Sequence, residues 1–271
     1  MFYFDVELGD VFMKKVTVQG LNYDTNELRI VSAKEIIRYI DKFRDERDKD
    51  EILDLSRIKL ESENIEEKLD LKNIDFSFID FSWSDFRNID FRGADFSKSV
   101  LDHAKFVEVD FSKSDFTEAS LFGTDLRGCN MSETNCDGTV FTSAILIGAN
   151  LEGLRDTDRT VHFRMACPET GYFFGYKKCF NDRMVKLLIP ADSKRCSSTT
   201  NACRCEKAIT VAIMDKDKTG FYKEATSFVD GDFIYRLGEM SYADSYHEDR
   251  WLDSSHGIHF WMTFEEALGY M

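Results

Sequence analysis

The most unusual charge feature of this 271-residue, acidic chain is a cation-rich segment at residues 177–207, which holds eight lysines and arginines against three acidic residues. A run of hydroxyls at Ser197, Ser198, Thr199 and Thr200 lies between the cations. Cations, hydroxyls and loop N–H groups together are typical of sites that hold phosphate or another anion. The candidate anion or ligand contacts are Lys186, Lys194, Arg195, Ser197, Ser198, Arg204, His256 and His259.

A solvated loop is the alternative to an anion site in this segment. Its cations would then pair with the acidic N-terminal half or with Glu248 and Asp249. Alternation along the strand around His259 places that imidazole on the opposite face from Ile258 and Phe260, as a half-buried, hydrogen-bonded histidine or as a base or anion ligand.

Thiols in the same region could hold zinc or act as nucleophiles. Cys196, Cys203 and Cys205 are weak metal candidates, because structural zinc sites use matched C-x₂₋₄-C pairs and this chain offers a single C-x-C. Structural thiols are favoured, and we expect neither a metal nor a cofactor. A pair of Cys167 or Cys196 with His259 stays open, since such partners meet in space.

Known catalytic motifs do not appear in the sequence. There is no phosphate-binding glycine loop, no H-E-x-x-H and no G-x-S-x-G. The sequence therefore leans against an enzyme, and we name no catalytic residue.

The elements that must position these groups form a C-terminal α+β domain. Period-two patterns predict strands at 172–176, 184–189, 208–214, 233–237 and 258–262. Thr263 followed by Glu266 predicts a capping box that opens a final helix.

A different pattern fills the middle of the chain, where an apolar residue occupies every fifth position from Leu71 to Leu151 without a gap. A second series of smaller residues lies two positions earlier. A period of five fits neither a helix nor a strand and indicates an internal repeat.

The segments IDFSF, IDFSW, ADFSK and ANLEG resemble pentapeptide repeats. That resemblance implies a right-handed, parallel, quadrilateral β-helix with four pentapeptides per coil and a ladder of phenylalanines inside. The predicted fold class is accordingly mainly β, with this β-helix between a small N-terminal α+β cap and the C-terminal α+β domain. The expected domains are 1–68, 69–154 and 155–271.

Residues twenty apart should stack on one face of such a coil. Two faces then carry columns of carboxylates, which we predict to bind a partner: Asp70, Asp75, Asp90, Asp95, Asp110 and Asp115. The alternative is that these side chains accept local backbone N–H bonds at the corners. The same register turns Trp83 and His103 outward, Trp83 as a contact point or packed under the N-terminal module.

The N-terminal module should begin with a β meander over residues 2–31, with turns at 9–10 and 22–24. Ser32 and Glu35 predict a capping box and a helix whose buried face is formed by Ile36, Ile37, Tyr39, Ile40 and Phe43. Residues 52–69 would be a linker or an entry cap.

The segments CPETGYFFGYKK, KLLIPADSKRCSSTTNACRCEKA and GIHFWMTFEEAL resemble an uncharacterised domain that recurs beside pentapeptide repeats in phages, giant viruses and bacteria. No activity follows from that resemblance. It hints at a viral source, for which counteracting a host defence or remodelling a host protein would be the natural role.

These observations favour a non-enzymatic interaction protein whose acidic repeats dock on a macromolecular partner from the host or from the same source. Residues 71–154 carry 7 basic and 14 acidic residues, so direct nucleic-acid binding by the repeats is disfavoured. Some members of the repeat family mimic duplex DNA, and this charge permits that role. The competing function is a C-terminal domain that binds or processes a phosphorylated or nucleotide ligand, with the β-helix as scaffold.

Partner and location predictions follow from the same composition. An acidic N-terminus and the lack of a long apolar run predict a cytoplasmic protein, in the host cell if viral, with no membrane association. A homodimer is expected if Val140, Ile145 and Ile147 of the last coil face outward and are uncovered.

Overall fold

The computed structural model describes residues 5–8, 11–18, 27–49, 51–62, 66–253 and 255–270. The chain divides into two compact units, Met1–Phe163 and Arg164–Met271. The first unit therefore joins the expected N-terminal cap and the repeats, and the three-part division drawn from sequence stays a prediction. None of the helices in the described part of the chain is long and apolar enough to span a bilayer.

The described residues of the first unit form short strands and one helix. They are β1 (Asp5–Leu8), β2 (Val11–Thr17), β3 (Arg29–Ile30), α1 (Ala33–Glu46), β4 (Glu51–Asp54), β5 (Ile58–Glu61), β6 (Leu69–Asp70), β7 (Ile79–Asp80), β8 (Asp85–Arg87), β9 (Ile89–Asp90) and β10 (Lys105–Val107). Two four-stranded sheets have the orders β1-β2-β4-β7 and β10-β8-β5-β3, and β6 pairs with β9.

The N-terminal module is continuous with the repeats through these sheets. The β1–β2 hairpin is antiparallel, which confirms the first part of the expected meander. The prediction was wrong for β3, which pairs in parallel with β5. Strands β4 and β5, within the stretch interpreted as a linker or cap, pair in parallel with β7 and β8 and so extend the coil. The expected turns at 9–10 and 22–24 lie outside the described residues.

Helix α1 has the predicted capping box. Ser32 Oγ accepts a hydrogen bond from the backbone N–H of Glu35, and the Glu35 carboxylate accepts one from the Ser32 N–H. These bonds satisfy backbone donors that a helix N-terminus leaves without partners. Ile36, Ile40 and Phe43 are buried, as predicted, whereas Ile37 and Tyr39 of the predicted stripe are only partly buried.

Between Asp75 and Arg155, single parallel bridges join residues twenty apart, such as Asp75 with Asp95 and Asp95 with Asp115. This spacing confirms four pentapeptides per coil. Rings of Phe76, Phe96 and Phe116 stack at 5.1 and 5.2 Å between centroids, and Phe86 stacks on Phe106 at 5.0 Å. These rings are at most 2% exposed, so the predicted phenylalanine ladder forms the core of the coil.

Antiparallel strands and a short helix make up the second unit. They are β11 (Phe173–Lys178), β12 (Arg183–Ile189), β13 (Arg195–Ser197), β14 (Cys203–Cys205), β15 (Lys207–Asp215), β16 (Glu224–Thr226), β17 (Ile234–Arg236), β18 (Met240–Tyr242), β19 (Ile258–Phe260) and α2 (Phe264–Gly269). The five predicted strands are present, and Thr263 and Glu266 form the predicted capping box of α2.

Three sheets in the described part of the second unit contribute to its core. One has the order β11-β12-β15-β18, a second has the order β13-β14-β19, and β16 pairs with β17. A bridge between Tyr176 and Trp261 joins the first two. Val185, Leu187 and Phe260 are buried between these elements. Strands β13 and β14 escaped the sequence analysis, because the cationic, hydroxyl-rich run there indicated a loop.

Candidate functional site

Six carboxylates were predicted to bind a partner, and all six accept hydrogen bonds from backbone N–H groups close to them in sequence. Each accepts a hydrogen bond from the N–H two residues later, for example Asp95 from Ser97 at 2.8 Å and Asp115 from Thr117 at 2.8 Å. The same bond is present at the other four carboxylates, Asp70, Asp75, Asp90 and Asp110. These carboxylates therefore accept local backbone N–H groups at the corners, which was the alternative to partner binding.

Neighbouring side chains also offset much of the charge on these faces. Arg92 forms an ion pair with Asp90 at 2.7 Å, and Arg44 of α1 forms one with Asp75 at 2.6 Å. The amide groups of Asn130 and Asn135 donate to Asp110 and Asp115 of the preceding coil. Stacked carboxylates repel one another, and these cations and amides relieve that repulsion.

A corner residue with left-handed backbone follows each inward residue by two positions. From Asn73 to Gly153, all seventeen such positions have a φ between 53° and 70°. Only six of them are glycine, although other residues adopt this conformation at a cost. The recurrence of glycine at these positions is the sequence signal for the left-handed corners.

One of these corners carries exposed aromatic side chains. Trp83 stacks on His103 with 4.2 Å between ring centroids, and His103 meets the ring of Phe122 edge-on at 5.2 Å. Arg57 lies 5.7 Å from the Trp83 ring. We call Arg57, Trp83, His103 and Phe122 the aromatic corner. It lies on one edge of the coil because Arg57, Trp83 and His103 occupy left-handed positions that stack on consecutive coils.

The aromatic corner stays open to solvent. Trp83 is 51% exposed and Phe122 is 39% exposed. The outward orientation predicted for Trp83 and His103 is confirmed. The N-terminal module reaches Trp83 through Arg57 and leaves about half of the indole uncovered.

A half-buried carboxylate supports this corner from beneath. Asp102 accepts hydrogen bonds from Ser120 Oγ at 2.5 Å and from the N–H of Phe122 at 3.2 Å. Burial raises the pKa of Asp102 above its ordinary value, although these two bonds oppose the shift. The carboxylate fixes the backbone from which Phe122 projects.

The cations of the C-terminal segment are largely engaged within their own unit. Arg204 is 2% exposed and donates to the carbonyls of Leu252 and Asp249. Arg195 donates to the carbonyls of Ser193, Gly171 and Pro190. Both arginines therefore tie loops together.

Two lysines of the predicted anion site are also engaged. Lys194 pairs with Glu248, as the loop alternative expected. Lys186 lies 4.3 Å from the Phe174 ring centroid.

The remaining candidate ligands separate into different places. Ser197 and Ser198 are buried; Ser197 Oγ accepts from the N–H of Ala166, and the Ser198 carbonyl accepts from Arg250. Lys194 and Arg195 line a shallow depression of about 330 Å³, whereas His256 and His259 line a cavity of about 490 Å³. The structure thus does not gather the predicted set into one site.

The cysteines are buried free thiols. Cys196 accepts a hydrogen bond from the Tyr246 hydroxyl at 3.1 Å, and burial raises the pKa of Cys205 to about 12. Within the described ranges, no group of three His, Cys, Asp or Glu side chains is placed to hold a metal ion. A thiol whose pKa is raised in this way stays protonated and is a poor nucleophile and a poor metal ligand. The pKa of Cys167, by contrast, is lowered, chiefly by a hydrogen bond with Cys203.

The 490 Å³ cavity contains a lysine that sequence reasoning did not select. Lys177 of β11 lines it, is 6% exposed, and donates from Nζ to the carbonyl of His259 at 3.2 Å. Tyr235, Ser255 and Phe233 share the lining. The sequence held a signal for the burial of Lys177, because alternation along β11 places it on the same face as the buried Phe173.

Comparison with known families agrees with this architecture. Residues 74–112 and 119–153 match the model of pentapeptide repeats, in eight copies. The chain therefore contains a pentapeptide-repeat β-helix, a fold that often mediates protein interactions. Residues 163–267 match a family of unknown function, DUF5758, and form its domain here.

Several solved pentapeptide-repeat proteins are similar to part of the chain. Rfr23 from the cyanobacterium Cyanothece 51142 is 19% identical, over 46% of this chain and 98% of its own, with a TM-score of 0.26. A protein from the Arabidopsis thaliana thylakoid lumen is 27% identical, over 35% of this chain and 65% of its own, with a TM-score of 0.30. QnrB1, a plasmid-mediated fluoroquinolone resistance protein, is 21% identical, over 41% of this chain and 75% of its own, with a TM-score of 0.26.

None of the curated proteins compared with the chain matches it. The fold assignment rests on the twenty-residue bridge spacing and the family match.

Proposed function

We propose that this chain is an interaction protein whose repeats dock on a protein partner through the aromatic corner. The observation that carries the proposal is the half-exposed Trp83, stacked between His103 and Arg57 on a rigid coil. Tryptophan and arginine dominate the binding energy of protein interfaces. A side chain already held in place also loses little entropy on binding.

The fold does not explain a tryptophan at this position. Every corner needs a left-handed backbone, which glycine adopts without strain and a bulky residue does not. Trp83 has a φ of 62° and buries only part of its indole. Packing within the coil therefore offsets little of the strain of that backbone conformation. A role in binding supplies the missing reason.

The carboxylate faces are weaker candidates for the contact. Mimicry of duplex DNA, or a counter-defence role built on it, would require carboxylates that present unbalanced charge along a face. Asp75 and Asp90 have cationic partners, and Asp110 and Asp115 accept amide N–H groups of the next coil. The net charge of the repeats favours a partner with a basic surface and steers its approach, while the aromatic corner makes the contact.

Variants at the aromatic corner can test this proposal in affinity capture from the source organism. Trp83→Gly removes the indole and suits the left-handed backbone, so the coil should stay folded. The comparison set is wild type, Trp83→Gly, a quadruple charge reversal at Asp90, Asp95, Asp110 and Asp115, and Lys194→Ala with Arg195→Ala. A matched control is Tyr172→Ala, which removes an aromatic side chain that is 74% exposed in the second unit.

We expect one partner to be lost with Trp83→Gly and retained with Tyr172→Ala and the Lys194/Arg195 variant. With the purified partner, the dissociation constant should rise by about 30-fold or more, the effect of removing an interface hot spot. Unchanged affinity in Trp83→Gly would refute the aromatic corner, and loss only with the charge reversals would move the contact to the carboxylate faces. Capture of a second copy of this chain would identify a homodimer.

A further inference from the structure

The cavity beside Lys177 differs from the rest of the second unit in how its polar atoms are satisfied. Among the described residues, the Lys177 ammonium makes one hydrogen bond, to the His259 carbonyl, and has no carboxylate partner. A lysine ammonium has three donors, and burying it without a counter-charge is strongly unfavourable. Burial accordingly lowers the pKa of Lys177.

Two further buried polar atoms belong to residues that line the same cavity. Within the described part of the chain, Nε2 of His259 and Oγ of Ser255 have no hydrogen-bond partner. Burial, reinforced by the fields of Lys177 and Arg204, lowers the pKa of His259 to about 4, so this imidazole is neutral at pH 7. Buried polar atoms almost always have partners, and three poorly satisfied groups at one cavity call for an explanation.

The cavity is too large for a bare ion or a single water molecule. Its volume is about 490 Å³, against roughly 30 Å³ for one water. Phe233, Leu252 and Ile258 line it beside the polar groups, while the exposed Asp230 and Asp244 lie on its solvent side. An apolar lining with a few convergent polar groups is typical of small-molecule sites.

We propose that this cavity binds a small organic anion, with its oxyanion head group held by Lys177, His259 and Ser255 and its apolar part against Phe233 and Leu252. The head group supplies the counter-charge that Lys177 lacks and accepts hydrogen bonds from the remaining N–H groups of its ammonium. A neutral His259 and Ser255 donate the remaining hydrogen bonds. The head group is a carboxylate or a phosphate monoester, and both present the same acceptor oxygens. The site does not depend on the aromatic corner.

Histidine side-chain NMR of the full chain can test the proposal. The probes are sodium butanoate, sodium acetate and methyl phosphate, each against sodium chloride at equal ionic strength. The five histidines provide internal references, because His103 and His162 lie in the other unit. We expect butanoate to shift the His259 signal in a saturable way and to leave His103 and His162 unmoved.

Chain length and head group then define the ligand class. Each buried methylene should tighten binding about three- to fourfold, so butanoate should bind more tightly than acetate. A stronger response to methyl phosphate would assign the head group to a phosphate. If none of the three anions shifts His259 beyond the chloride control, the proposal is wrong.

Lys177→Met removes the cation that is proposed to hold the head group of the anion. Methionine keeps the length and apolar stem of the side chain, and Lys186→Met on the neighbouring strand β12 is the matched control. We expect Lys177→Met to weaken butanoate binding by about tenfold or more, as for a hydrogen bond to a charged group, and Lys186→Met to leave it unchanged. Equal affinity in Lys177→Met would overturn the proposal.

A measurement on the wild-type chain covers the case in which Lys177→Met does not fold. Reductive methylation followed by mass spectrometry reports the accessibility of each lysine amine. Butanoate should protect Lys177 several-fold and leave Lys186 equally reactive. Equal labelling of Lys177 with butanoate and with chloride would contradict the proposed site.

Discussion

The buried hydroxyls of the repeats and the buried polar groups at the cavity of the second unit differ in how fully they are hydrogen-bonded. Along the repeats, inward hydroxyls donate to carbonyls of the coil: Ser99, Ser114, Thr124, Thr134, Thr139 and Thr160. In the second unit, the buried Lys177 and His259 are left with too few partners. The acceptor carbonyl lies on the same coil for Ser99 and Thr134 and on the preceding coil for the others, so stacking of the coils satisfies these hydroxyls. Among the described residues, isolated unsatisfied atoms occur in both units, such as Nε of Arg44 and Oγ1 of Thr210, but at the cavity Nε2 of His259, Oγ of Ser255 and the Lys177 ammonium lie together.

The largest expected effect is that of Phe96→Ala in the phenylalanine ladder, which tests how tightly the core of the coil is packed. Phe96 packs face to face with Phe76 and Phe116 and edge-on with Phe91 and Phe111. Removing a buried phenyl group should lower the unfolding free energy of the first unit by about 3–5 kcal/mol. Hydrogen exchange of peptides from residues 86–126 under increasing urea would measure the change.

Phe174→Ala is the control, because that ring is 44% exposed in the second unit. Its effect should stay below about 1 kcal/mol. A loss for Phe96→Ala as small as for Phe174→Ala would show that the ladder is not the core of the coil.

The repeats were predictable because one period determines all of their structure. A single inward residue in five gives the core, the coil length of twenty and the stacking of Asp75 on Asp95. The ion pair between Arg44 and Asp75 was not predictable in this way, since nothing periodic relates α1 to the coil. The left-handed corners were encoded too, by glycine at six of the seventeen positions.

The left-handed corners provide a second test, with an intermediate expected change in unfolding free energy. Gly128 has a φ of +67°, and a methyl group there would meet no atom within 4 Å. Gly128→Ala should therefore destabilise the first unit by about 1 kcal/mol through backbone strain alone. Gly231 in the second unit also has open space but lacks a positive φ, so Gly231→Ala should be neutral or slightly stabilising. Urea unfolding of both variants measures the difference, and equal effects would exclude strain as the cause.

The second unit shows where sequence reasoning stops. Lys177 and His259 meet although 82 positions separate them, because β11 and β19 lie next to each other through the bridge of Tyr176 with Trp261. No local pattern specifies that adjacency. The cation-rich segment was visible in the sequence, but its arginines bond to carbonyls of loops that only the fold brings near, as Arg204 does with Leu252.

The smallest test concerns Asp102, the counterpart of Lys177 among the repeats. Its pKa is raised by burial, so the folded state holds a proton more tightly than the unfolded state. Its contribution to stability is therefore greatest below the ordinary value of 3.8 and is lost as pH rises through the raised pKa. Asp102→Asn keeps an oxygen acceptor for Ser120 and Phe122 without the charge. We expect an unfolding free energy higher by less than about 1 kcal/mol at pH 7, an advantage that shrinks toward pH 4.

Asp90→Asn is the control with the opposite sign. The hydrogen bond from Arg92 is the main cause of a lowered pKa at Asp90, so this carboxylate stabilises the fold above its unfolded value and loses that effect as pH falls through its folded one. Asp90→Asn should lower stability at pH 7, with the loss fading in acid. Parallel pH profiles for the two variants would mean that burial does not govern Asp102. Opposite profiles would show that burial disfavours the charge at Asp102, whereas the hydrogen bond from Arg92 favours the charge at Asp90.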